Sequence, residues 1–152
     1  MIESPSQLYF LNWTFWLQTG MAVVCGALLG LERQIHDKPA GVRTSLLICV
    51  GSCLFALLPD MLTRLHPSAP PDFSRIAGQV ITGVGFLGAG AIIHQGYSVY
   101  GLTTAATIWL ASGIGLIIGL GYPYTGLVIT LCAIATLVPL GWLEHRFFGH
   151  SK

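Results

Sequence analysis

Between Ile76 and Leu143 the chain carries no Asp, Glu, Lys or Arg, an uninterrupted run of 68 residues. A water-soluble domain of this size cannot hide such a stretch, because its surface needs charged side chains at short intervals. In a bilayer the requirement reverses: about 20 apolar residues in helical form span the hydrocarbon core, and each charge inside it is costly. The rest of the composition agrees, with 53% hydrophobic and 9% charged residues and a mean hydropathy of +0.72. The chain is expected to be an integral membrane protein.

Backbone N–H and C=O groups find no water in hydrocarbon, so only helices and closed barrels cross it. Five segments have the length and composition of spanning helices, near 13–31, 44–62, 76–93, 102–119 and 125–143. Their apolar content is continuous, whereas a barrel strand alternates lipid-facing and lumen-facing residues. The expected fold is all-α, a polytopic bundle of five transmembrane helices forming one domain over residues 1–152. The first segment does not read as a signal peptide, since it has Glu3 and no Lys or Arg before Arg33. Basic residues in short loops stay on the cytoplasmic side. An N-terminus outside places Arg33, Lys38, Arg43, Arg146 and Lys152 inside and only Arg64 and Arg75 outside, so the expected topology is N-out and C-in. Tyr9, Phe10 and Trp13 at one end of the first helix, and Tyr122 and Tyr124 between the last two, supply interfacial aromatics.

Helices in lipid lack a hydrophobic drive toward each other, so small residues that let backbones approach become a main source of association. Ala22, Gly26 and Gly30 recur every four residues in the first helix, and Ala111, Gly115 and Gly119 do so in the fourth. Each set predicts a tight helix contact. On a wheel of about 100° per residue, the third segment places Gly83 and Gly90 on one face and Gly78, Gly85 and Ala89 on the opposite one. That pattern predicts a central helix squeezed on both sides. Gln79 and His94 fall on the first face, completing a polar, glycine-lined strip with the character of a pathway, with a polar hydrogen bond plus backbone packing as the plainer alternative.

Ionisable residues at membrane segments are costly to bury and usually paired, which makes each a functional candidate. Glu32 and Arg33 end the first helix and Arg43 opens the second, so a charged cluster of all three is expected, with an interfacial salt bridge between helix ends as the plainer alternative. Asp72 precedes the third helix, where a carboxylate can accept from free N–H groups and offset the helix dipole. Arg75 is unfavourable beside that positive end, and Asp72 is the nearest partner for it. Glu32 and Asp72 are expected on opposite sides of a core about 30 Å thick, so they are expected to offer separate metal contacts and not to share one ion. Thr103, Thr104 and Thr107 offer hydroxyls for back-bonding to helix carbonyls.

Other chemistries are excluded or weak. The net charge of +1 and the absence of a basic tract leave no footprint for nucleic acid. "GVGFLG", Gly83 to Gly88, matches a dinucleotide-binding loop literally but lacks the preceding strand and the acidic residue about twenty positions on. Cys25, Cys49, Cys53 and Cys132 all fall in helical segments and read as small buried packing groups. His36, His94, His145 and His150 read as interfacial, and Pro139 bends the fifth helix. No nucleophile with a base is visible, so an enzyme is not expected.

The stretches "GALLGLERQ", "KPAGVRTSLLICVGSCLF", "FSRIAGQVITGVGFLGAGAII" and "GLTTAATIWLASGIG" together resemble the membrane domain of the bacterial MgtC/SapB family, in the right order over roughly residues 20–120. The resemblance implies a multi-pass protein of the bacterial inner membrane, linked to growth at low magnesium and, in some pathogens, to virulence inside host cells. Carried over by position, the family's charged and polar motif residues are Glu32, Arg33, Gly41, Arg43, Asp72, Arg75, Gln79 and Thr104, with Gly83, Gly85, Gly88 and Gly90. Two departures stand out. The family's Asp-Pro-Ser-Arg reads Asp72, Phe73, Ser74, Arg75 here, which sets the helix start less rigidly. Several relatives continue into a soluble domain after the fifth helix, whereas this sequence stops at Lys152, so regulation through such a domain is not expected.

Two functions follow from the resemblance and the residues. One is Mg²⁺ uptake or homeostasis, with Mg²⁺ as substrate rather than a tightly bound cofactor, met by Glu32, Asp72 and the Gln79/Gly83/Gly90 strip. Magnesium keeps several waters, so few carboxylates suffice, but Arg33, Arg43 and Arg75 repel a cation. The other is a non-transporting regulator whose glycine faces dock on another membrane protein such as an ion pump or ATP synthase. The expected partners are the lipid bilayer, a second copy in a homodimer and such a membrane protein, with no nucleic acid.

Overall fold

Apolar segments that satisfy their own backbone become helices, and the computed structural model, described for residues 12–65, 68 and 72–147, consists of five of them and one short hairpin. In chain order they are α1 (Trp13–Ile35), α2 (Val42–Leu65), α3 (Phe73–Gly90), the strands β1 (Ile93–Gln95) and β2 (Ser98–Tyr100), then α4 (Leu102–Gly119) and α5 (Pro123–Phe147). The chain is an all-α membrane protein. Among the described residues α1, α2, α4 and α5 are long and apolar enough to cross a bilayer. α3 is not among them, leaving four such helices where five spans were expected: it has the same length as α4, 18 residues, but Arg75 and Gln79 in its first two turns make it less apolar. Tyr9, Phe10, His150 and Lys152 lie outside the described residues, as do the side chains of Arg64 and His145.

The third helix ends at Gly90, not at Ile93. Residues 93–100 instead form an antiparallel hairpin with Gln95 opposite Ser98. A two-residue turn joins the strands, and Gly96 holds its first position at φ +61°, a place where hairpin turns need glycine. Gly101 then turns the chain into α4 at φ +87°, with a Cβ there overlapping the Ala91 carbonyl oxygen.

The centre of the bundle is α4 rather than α3. α4 is apolar on all sides, as a surrounded helix should be, and Thr104, Ile108, Ala111, Ile114, Gly115, Ile118 and Gly119 are all buried in it. Its small residues meet α2 backbone to backbone. A Cβ added at Gly115 would overlap the Cys49 carbonyl oxygen, and one at Gly119 the Cys53 carbonyl oxygen. α1 docks on the start of α2 in the same way: a Cβ at Gly26 would lie 2.8 Å from Leu46 Cα, and one at Gly30 2.5 Å from Val42 Cα. Between these seams Cys25, Leu29, Cys49, Cys53, Ile114 and Ile118 fill the core, and Ser52 Oγ donates to Ser112 Oγ at 3.0 Å. Cys132 departs from expectation, being exposed on α5. At the far end Gln18 Nε2 donates to the Gly119 carbonyl at 3.2 Å, tying α1 to α4.

α3 is peripheral. Only Val84 and Gly88 are buried in it, with Val84 against Ile108 of α4 and Ala40. Gly88 makes an ordinary contact with Ala105, while a Cβ at Gly78, Gly83, Gly85 or Gly90 would meet nothing within 4 Å. The expectation of a helix squeezed on both faces is therefore wrong. Small residues mark faces that can pack, but not whether the partner belongs to the same chain.

Candidate functional site

The charged end of α1 begins with how that helix stops. Asp37 takes the left-handed conformation at φ +51°, and the chain closes a Schellman motif: the Lys38 N–H donates to the Arg33 carbonyl at 3.0 Å and the Asp37 N–H to that of Gln34 at 3.2 Å. Arg33 complements the negative end of the helix dipole, whereas Glu32 opposes it.

Both side chains are buried, at 6% exposure for Glu32 and 3% for Arg33. Neighbours in a helix do not ordinarily face each other, yet here they form a two-point pair. Arg33 Nε lies 2.5 Å from Glu32 Oε2 and Nη2 lies 2.8 Å from Oε1. The third guanidinium nitrogen, Nη1, is buried without a partner among the described residues. His36 Nδ1 sits 3.2 Å from Glu32 Oε1 and 2.8 Å from its backbone oxygen, a contact missed from sequence although the i,i+4 spacing was there to read. Desolvating two charges is offset only when geometry is good and remaining donors are satisfied, so this pair is tightly held but incompletely satisfied.

The expected three-residue cluster does not form. Arg43, eight residues beyond the end of α1, is exposed and lies in a different wall of the protein, lining a cleft with Pro39, Thr44, Gly90 and Ala91. Gln34 takes the linking role: its Oε1 accepts from the Val42 N–H at 3.4 Å and lies close to Gly41. Asp72 caps α3, accepting from the Ser74 N–H at 2.9 Å, and does not pair with Arg75 as expected; both are exposed. A carboxylate at that position bonds the free backbone N–H before it reaches a flexible side chain a turn away. Thr104 is buried in α4, and Thr107 Oγ1 back-bonds to the Thr103 carbonyl at 2.7 Å.

Arg75, Gln79 and Gly83 come together in the wall of a side-open cleft between α2 and α3, about 780 Å³ in volume. The rest of its lining is nearly all apolar, including Leu47, Phe55, Val80 and Leu87. A smaller cleft of about 420 Å³ continues it toward the Glu32 end, sharing Leu47, Ile48 and Leu87 and adding Arg43 and Gly90. The strip of Gln79, Gly83 and Gly90 thus lies along one cleft, but His94 is on the hairpin and outside it. Among the described residues no three His, Cys, Asp or Glu side chains converge as a metal would require. Glu32 and Asp72 stand at opposite ends of the helices, one engaged by Arg33 and the other by a backbone N–H.

Comparison with known proteins assigns the chain to a family. The profile described as the MgtC family matches residues 20–146. "Putative magnesium transporter YhiD" of Escherichia coli strain K12 is 44% identical over 135 residues, covering 86% of this chain and 61% of the relative. "Protein MgtC" of Salmonella typhimurium strain LT2 is 45% identical over 115 residues, covering 74% of this chain and 47% of the relative. An uncharacterized protein of Haemophilus influenzae is 36% identical over 122 residues, covering 77% and 51%. The chain thus spans roughly half to three fifths of the length of these relatives. No solved structure matches. With most of its length matched, from the middle of α1 to the end of α5, the chain belongs to the MgtC family.

Proposed function

We propose that the chain is a multi-pass protein of the bacterial inner membrane, N-terminus outside and C-terminus cytoplasmic, that serves magnesium homeostasis by docking on another membrane protein. The link to magnesium rests on the family and on the name of the Escherichia coli relative. The observation that carries the docking role is the outer face of α3. Gly78, Thr82, Gly85 and Ala89 line it and are exposed, with open space at both glycines, while Gly26, Gly30, Gly115 and Gly119 are filled by neighbouring backbone. A small-residue face of that kind is what close helix association in lipid uses.

Conduction is less well supported. Mg²⁺ takes oxygen ligands and gives up its waters reluctantly. The α2/α3 cleft offers it apolar walls, and among the described residues the charged ones lining its two parts are Arg75 and Arg43, which repel a cation. Transport remains the second reading, favoured by the relative's name and by Gln79 in the cleft.

The test uses bacteria lacking their own copy, grown at limiting magnesium. A photoreactive residue at position 85 is expected to crosslink to a second membrane polypeptide. Gly78→Phe, which meets open space in the chain itself, is expected to abolish both the crosslink and growth while leaving thermal stability unchanged. Normal growth with Gly78→Phe would overturn the docking role, and a crosslink only to a second copy would replace it with self-association.

A further inference from the structure

The cleft between α2 and α3 is built for something with a long apolar body and an anionic end. Its volume of about 780 Å³ lies within the range of roughly 300–1,000 Å³ seen for ligand sites. Among the described residues no carboxylate lines it. Along its wall α3 rises about 18 Å from Arg75 to Leu87, close to the depth of one leaflet, half of a core about 30 Å thick. Gly51 and Gly83 leave its middle free of side chains, with open space where a Cβ would be.

Arg75 closes the argument at one end. It lines the cleft and is exposed, it has no ion-pair partner among the described residues although Asp72 is three positions away, and it sits in the first turn of α3, where the helix dipole disfavours a cation. Gln79, one turn further, adds amide donors to the same wall. We propose that this cleft is a phospholipid site, in which an acyl chain lies along Leu47, Phe55, Val80 and Leu87 while the phosphate is bound by Arg75 and Gln79. Guanidinium matches phosphate oxygens with paired hydrogen bonds. A helix from a second copy fits the cleft less well: it would leave the guanidinium unpaired, and a parallel copy would bring another Arg75 toward it. The outer face with Gly78 and Gly85 is separate from this cleft, so the lipid site does not depend on the docking role.

The experiment takes the full chain extracted from bacterial membranes in mild detergent, washes it, and measures retained phospholipid by native mass spectrometry and phosphorus assay. The parent chain is expected to keep bound phospholipid. Arg75→Gln should reduce it roughly three- to tenfold, as expected for losing a charge-assisted phosphate contact, and Arg75→Lys should retain an intermediate amount. Gly83→Leu fills the cleft without touching the charge and should reduce retention by a similar factor. Equal retention in the parent, Arg75→Gln and Gly83→Leu would mean unspecific surrounding lipid and overturn the proposal. Efficient disulfide crosslinking between two chains through Gly83→Cys would also overturn it, by putting a second copy in the cleft.

Discussion

Removing one half of the Glu32–Arg33 pair should cost far more than removing both. Glu32→Gln keeps the shape but leaves a buried guanidinium with its charge uncompensated. In the parent chain two of its nitrogens reach the carboxylate, at 2.5 and 2.8 Å, and Nη1 already lacks a partner. A single truncation of a buried pair costs about 3–5 kcal/mol, a large fraction of a total stability of roughly 5–15 kcal/mol. Arg33→Met should cost a comparable amount by stranding the carboxylate, moderated by His36 at 3.2 Å. The double variant buries neither charge and should fall within about 1 kcal/mol of the parent, since apolar replacements of buried pairs are often neutral. Reversible unfolding in bicelles, run as a double-mutant cycle, gives the three differences directly. Single variants costing under about 1 kcal/mol, as for exposed pairs, would show that this pair is solvated and refute its structural role.

Three further outcomes follow from the packing. Gly115→Ala drives a methyl into the Cys49 carbonyl and should destabilise by about 1–3 kcal/mol, whereas Gly85→Ala meets open space and should change stability by less than about 1 kcal/mol, toward greater stability; both are read from thermal melts in detergent. A cycle of Ser52→Ala and Ser112→Ala should give a coupling of about 0.6 kcal/mol, the average for hydrogen bonds between membrane helices, and no more than about 1.7 kcal/mol, the largest measured. Asp72→Ala should weaken the start of α3 by about 0.5–2 kcal/mol while Asp72→Asn keeps the cap, which hydrogen exchange at residues 74–76 will distinguish.

The helices were legible because lipid leaves a chain so few options: α4 runs from Leu102 to Gly119 as read from sequence, and the glycines spaced by four in α1 and α4 mark real seams. The same signal misled at α3, since a wheel shows that Gly78 and Gly83 lie on different faces but carries no information on whether either face is covered within the chain, and both are open. Its low hydropathy was the available warning, as Arg75 and Gln79 fit a margin better than a centre. The hairpin at 93–100 was hidden by Ile92 and Ile93, which extend the apolar run, although Gly96 just before the β-prone Val99 and Tyr100 was a turn signal. Arg43 could not be placed from proximity in sequence to α1, because a helix start fixes the backbone position but not the wall its side chain joins.

Mg²⁺ flux through the purified full chain in liposomes tests the central reading most directly. With an imposed gradient and an entrapped indicator, uptake is expected to equal that of protein-free vesicles, and to be unchanged by Glu32→Gln or Asp72→Asn. Uptake well above the vesicle background, lowered by either substitution, would contradict a docking role and establish the chain as a transporter.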